Sequence, residues 1–108
     1  LNVYSKSVVY RFTSFASAKI AAGHCTENLS KFVMKFGMSS LTITVSKESE
    51  VSITSTFDDI ANLKKFDEEL SKFVIELREA FDFMENNKSS VCVFNYQRDT
   101  VVDSLKLN

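Results

Sequence analysis

The sequence predicts a two-layer α+β sandwich with a mainly antiparallel sheet, and three patterns carry that prediction. Residues 39–57 hold two runs of strict apolar/polar alternation around a polar turn, as expected of a hairpin with one buried and one wet face. Residues 60–84 space their apolar side chains alternately by three and four, the period of a long helix. The run from Tyr4 to Thr13 is rich in β-branched and aromatic types and reads as a strand. At 108 residues the chain fits one domain, 1–108, large enough to bury a core. A first residue of Leu1 in place of Met leads to the expectation of a fragment or a processed product.

Along the chain, Val8, Tyr10 and Phe12 alternate with Val9, Arg11 and Thr13 in the first strand. Residues 14–36 follow with helical spacing. Leu29, Phe32, Val33 and Phe36 recur at i, i+3, i+4 and i+7, and Gly37 supplies the left-handed residue that ends many helices. In the hairpin Leu41, Ile43 and Val45, then Val51, Ile53 and Phe57, face inward. Thr42, Thr44, Ser46, Ser52, Thr54 and Thr56 face out. Asp58 or Asp59 caps the long helix, whose stripe of Leu63, Phe66, Leu70, Phe73, Leu77, Ala80 and Met84 carries it as far as Asn86, unless a break near 65–67 shortens it. Residues 86–89 are expected as a turn and Val91–Tyr96 as a last strand, with Val101, Val102, Leu105 and Leu107 as a further strand or docking segment. The order strand, helix, strand, strand, helix, strand is that of a split βαβ or ferredoxin-like sandwich; another two-layer α+β fold with an extra strand is the alternative.

Composition narrows the function. Hydrophobic residues at 44% and charged residues at 25% suit a globular chain, and no apolar run approaches the roughly 18 residues that cross a bilayer. No membrane partner is expected, and a cytoplasmic location follows as the default. A net charge of −1 gives no global attraction to phosphate backbones. Neither Gly23 nor Gly37 stands in a phosphate-binding loop. His24 and Cys25 are adjacent, so on a helix they point about 100° apart and share a proton poorly. One histidine and two distant cysteines, Cys25 and Cys92, leave a zinc shell short; they read as buried thiols, with a disulfide between them as the lesser alternative. The acidic clusters 58–59 and 67–69 suit helix starts and a solvated face better than a catalytic pair. No enzyme activity, metal or cofactor is therefore expected.

What remains is binding, as a regulatory or adaptor domain whose partner is another protein or a second copy of itself. Ten phenylalanines exceed what two small layers readily bury, and Phe81, Phe83 and Met84 at the end of the long helix are the expected anchors. The hydroxyl-rich outer face of the hairpin has two readings, an ordinary exposed pleat or a flat pairing surface. The alternative function is a nucleic-acid-binding regulator, phage or viral in view of the AT-rich coding that such Lys, Asn and Phe usage suggests. It would use Lys31, Lys35, Lys64 and Lys65 on the helix layer. Tyr10, Phe12, Phe94 and Tyr96 would stack bases only if the open face were theirs.

Overall fold

The computed structural model describes the backbone of residues 3–92 and the side chains of residues 3–85. Strand β1 (Val3–Phe12) is followed by helix α1 (Phe15–Leu29), the single-turn α2 (Phe32–Lys35), strands β2 (Met38–Val45) and β3 (Glu50–Phe57), helix α3 (Ile60–Ala80) and strand β4 (Phe83–Cys92). The strands form one antiparallel sheet in the order β2-β3-β1-β4. β1 and β3 are central. This is the two-layer α+β arrangement that the element order predicts.

Local chemistry sets the helix boundaries. The Ser14 hydroxyl accepts from the Ser17 N–H at 3.1 Å and starts α1, and the Asp59 carboxylate accepts from the Ala61 N–H at 2.8 Å and starts α3. Of the two aspartates named from sequence, Asp59 is thus the cap. Gly37 takes φ +58 after α2, as its position predicts. In β2 a register shift between Met38 and Ser40 inserts one extra residue. Met38 and Leu41, an odd number apart, consequently both reach the helix side of the sheet.

Four expected elements are corrected. The helix foreseen over 14–36 breaks at Ser30–Lys31, and α2 turns Phe32 and Phe36 onto Phe66 of α3, with ring centroids 6.1 and 6.5 Å away. The long helix stops at Ala80 rather than Asn86. A continued helix would leave Phe83 well off the apolar stripe, whereas as the first residue of β4 it packs between Tyr10 and Phe12, centroids 5.2 and 5.0 Å distant. Residues 86–89, expected as a turn, are part of β4, paired with Val9 back to Lys6. The strand expected over Val91–Tyr96 begins too late by eight residues. Its end, and the tail beyond it, lie outside the described residues.

The core lies between the sheet and the helices. Val8, Tyr10 and Phe12 of β1, Val51, Ile53 and Phe57 of β3, and Phe66, Leu70 and Leu77 of α3 are buried there. Ala18, Ala21 and Cys25 give α1 a thin inward face, which lets it lie close to the sheet. Phe66 is at the centre of the aromatic cluster, 5.6 Å from Phe57 between ring centroids. Phe66→Ala is expected to cost about 3–5 kcal/mol, measured by urea denaturation as a lowered midpoint with the wild-type slope; a loss below 1 kcal/mol would place the structural centre elsewhere.

Candidate functional site

The helices cover one face of the sheet. On the other, β1 presents Ser5, Ser7, Val9 and Arg11 in register with Thr56, Thr54, Ser52 and Glu50 of β3, and β2 adds Ser40, Thr42 and Thr44. No described residue lies over this face. Its hydroxyls pair within the lattice: Ser7 Oγ and Thr54 Oγ1 are 3.3 Å apart, and Thr56 Oγ1 bonds Ser39 and Ser40. Charge is confined to its rim among the described side chains, where Arg11 Nη2 donates to Glu50 Oε2 at 3.1 Å. The outward hydroxyls foreseen in the hairpin are placed here, except Ser46, whose Oγ accepts from the Glu50 N–H in the β2–β3 turn.

The three expected anchors all border one cleft at the end of the β1–β4 ladder, but they differ in burial. Phe83 faces the core at 9% exposure, Phe81 is half-buried against Phe12 and His24, and Met84 alone is open, 75% exposed on the sheet face opposite Arg11. Sequence spacing missed this because it treats residues 81–84 as helix. That cleft has a volume of about 550 Å³ and is lined in part by Arg11, Thr13, Arg78, Phe81, Phe83 and Met84. Arg78, not singled out in the sequence, is held firmly there. It donates from Nη1 to the Phe83 carbonyl and from Nη2 to Glu85 Oε2, both at 3.0 Å, and its guanidinium lies 4.4 Å from the Phe83 ring centroid.

The four lysines are all exposed, and the contacts of Phe32 and Phe36 with Phe66 bring α2, with Lys31 at its N-cap and Lys35 at its end, toward the first turns of α3, which carry Lys64 and Lys65. Tyr10 and Phe12 belong to the core, while Phe94 and Tyr96 lie outside the described residues. His24 is exposed and its ring meets the edge of Phe81. Cys25 faces inward, and burial pushes its thiol up to about 12. The two neighbours diverge, as their helical geometry requires. The side chain of Cys92 lies outside the described residues.

Burial also raises the Tyr10 hydroxyl far above the usual phenol range, with the Glu85 carboxylate adding to the effect. That hydroxyl has no hydrogen-bond partner among the described residues. Lys6 was overlooked in the sequence, although its even position beside Val8 and Tyr10 marks it as inward. Its side chain is 9% exposed and its Nζ reaches Asp67 Oδ1 on α3 at 2.9 Å.

No protein-family model and no curated protein matches the sequence. Solved structures do match in shape. Two crystal structures of dimeric ferredoxin-like proteins from an uncultured marine organism superpose with TM-scores of 0.72 and 0.70, at 19% and 10% identity. Each covers 89% of this chain and 99% or 100% of its own. A monooxygenase of Streptomyces coelicolor in complex with nanaomycin D superposes with a TM-score of 0.66 at 13% identity, covering 95% of this chain and 94% of its own. At such identities the likeness establishes the fold, which is ferredoxin-like.

Two measurements test the inward polar groups. Asp67→Ala leaves the Lys6 ammonium under the helices without its carboxylate and is expected to destabilise by about 1–3 kcal/mol, whereas Lys6→Met, which removes the charge and keeps the stem, costs less. The reverse order in thermal melts would show that the pair is not what matters at this position. The Cys25 thiol stays protonated in the fold at pH values where an unfolded thiol, with its lower pKa, ionises. This contribution is complete below the unfolded pKa of 9.0 and is lost as pH rises from there toward 12. In a Cys92→Ser chain at pH 8, alkylation of Cys25 should track global unfolding; labelling far ahead of unfolding would contradict its burial.

Proposed function

We propose that the chain is a non-enzymatic, self-associating binding domain in which the open sheet face of one copy packs on that of a second. The observation that carries this reading is the face itself, uncovered by any described residue and lined in β1, β2 and β3 mostly by short side chains. Ser and Thr project little, so two such sheets can approach to the roughly 10 Å spacing of packed sheets. Strands spaced about 4.8 Å apart and about eight residues long make a face of roughly 20 by 27 Å, on the scale of the roughly 800 Å² of accessible surface that each partner gives a standard interface. Val9, Met84 and the threonine methyls supply apolar area. Hydroxyls already bonded within the lattice enter the interface partly satisfied.

The dimeric state of the two marine proteins supports this reading by likeness of fold. A domain of this kind acts as an adaptor by fixing two helix layers on opposite sides of a shared sheet pair. The isologous contact places each residue of the face near the two-fold-related copy, so one charge introduced at the centre is introduced twice. Val9→Asp and Thr54→Lys are each expected to convert the assembly to monomer, read as halved mass in sedimentation equilibrium with an unchanged circular dichroism spectrum. A wild-type chain that is monomeric at high micromolar concentration, or variants that retain the wild-type mass, would overturn the proposal.

Nucleic-acid binding is the second reading, favoured by the placement of exposed Lys31, Lys35, Lys64 and Lys65 toward one end of the helix layer. It calls for a steep fall of oligonucleotide affinity with salt and loss of binding on charge reversal of these lysines. Self-association through the sheet leaves that end uncovered, so the two readings separate cleanly by mutation.

A further inference from the structure

The rim cleft lies where β1 ends and β4 begins, on strands that pair Phe12 with Phe83 and Arg11 with Met84. We propose that it binds a flat, uncharged aromatic molecule bearing carbonyl or hydroxyl oxygens on its edge. The inference rests on the geometry of a single copy, although Arg11 and Met84 of the cleft also border the face proposed to self-associate. The cleft, about 550 Å³, is open to solvent on one side, so it would hold a flat ligand against its walls rather than enclose it.

Its surfaces select the ligand. Phe81 is only half-buried, and the thioether of Met84 stands open, so an aromatic ring and a polarisable sulfur are both available to a planar apolar body. Arg78 is fixed by its bonds to the Phe83 carbonyl and Glu85 and by its seat on the Phe83 ring. Such a pre-ordered donor loses little freedom on binding. Each guanidinium carries five N–H groups; in the described contacts Arg78 uses two groups of donors and Arg11 one, which leaves donors for an acceptor oxygen.

Charge then decides between a neutral oxygen and an anion. The two arginines are matched by Glu50 and Glu85, and Asp82 adds a further negative charge to the wall. Among the described residues, two positive groups against three negative ones give a phosphate or carboxylate no electrostatic advantage. A carbonyl or phenol oxygen accepts the same hydrogen bonds without that penalty.

The test is an amide NMR titration of the full chain with chromone, a neutral bicyclic ketone, and in parallel with 1-naphthoate, an anion of similar size. Saturable shifts concentrated at residues 11–13 and 78–84 are expected, with chromone binding about ten-fold more tightly. Phe81→Ala and Met84→Ala should each weaken chromone about ten-fold; the exposed Met84 provides a variant that keeps the fold if Phe81→Ala does not. Absence of saturation, shifts centred elsewhere, or naphthoate binding at least as tightly would overturn the proposal. Val9→Asp, chosen to abolish the proposed assembly, should leave chromone binding unchanged. Loss of binding in that chain would instead show that a single copy does not make the site.

Discussion

β1 is hydrogen-bonded on both edges, to β3 from Tyr4 to Arg11 and to β4 from Val3 to Phe12, and its even-numbered side chains face the helices. Both pairings are long-range in sequence, and each fixes which residues of the partner strand point inward. With Tyr10 opposite Val51 and Phe12 opposite Phe83, the core is continuous across three strands. A slip of one residue at either edge would exchange this apolar row for Ser7, Val9 and Arg11. The hydroxyl face and the core are thus two consequences of one register.

Local signals made much of this readable. The hairpin alternation, the Ser14, Asp59 and Gly37 boundaries and the α3 stripe depend on neighbours within a few positions, where period and capping chemistry operate. β4 did not show itself because its middle, Asn86-Asn87-Lys88-Ser89, has turn composition and weak strand preference. Its extended state comes from β1, some eighty residues earlier in the chain. The α1–α2 break was equally hidden: neither glycine nor proline stands at Ser30–Lys31, and the bend follows from the burial of Phe32 and Phe36 on Phe66.

The same divide separates what was visible of the site from what was not. Outward Ser and Thr in the hairpin follow from alternation alone, and all but Ser46, which falls in the turn, are where the period puts them. Phe81, Phe83 and Met84 border one cleft, but a change of period at residue 81, which the spacing did not show, sends Phe83 to the core and Met84 to the opposite face. Arg78 has no local signature; its role depends on Glu85 and the Phe83 carbonyl, which it meets only once the chain has turned from α3 into β4.

The sheet face and the cleft meet at Arg11 and Met84, and this sets a thermodynamic condition on any ligand. If a second copy on the face alters cleft affinity by some factor, cleft occupancy must alter self-association by the same factor. Arg11 is tied to Glu50 on the face while another side of it borders the cleft. A ligand that uses only the remaining donors leaves that ion pair intact, and the coupling is then near unity. One that draws Arg11 away from Glu50 would leave a carboxylate uncompensated at the edge of the interface and weaken self-association. A neutral acceptor oxygen does not compete with Glu50 for the guanidinium charge, so the ligand class favoured by the charge balance is also the class compatible with an assembled sheet pair.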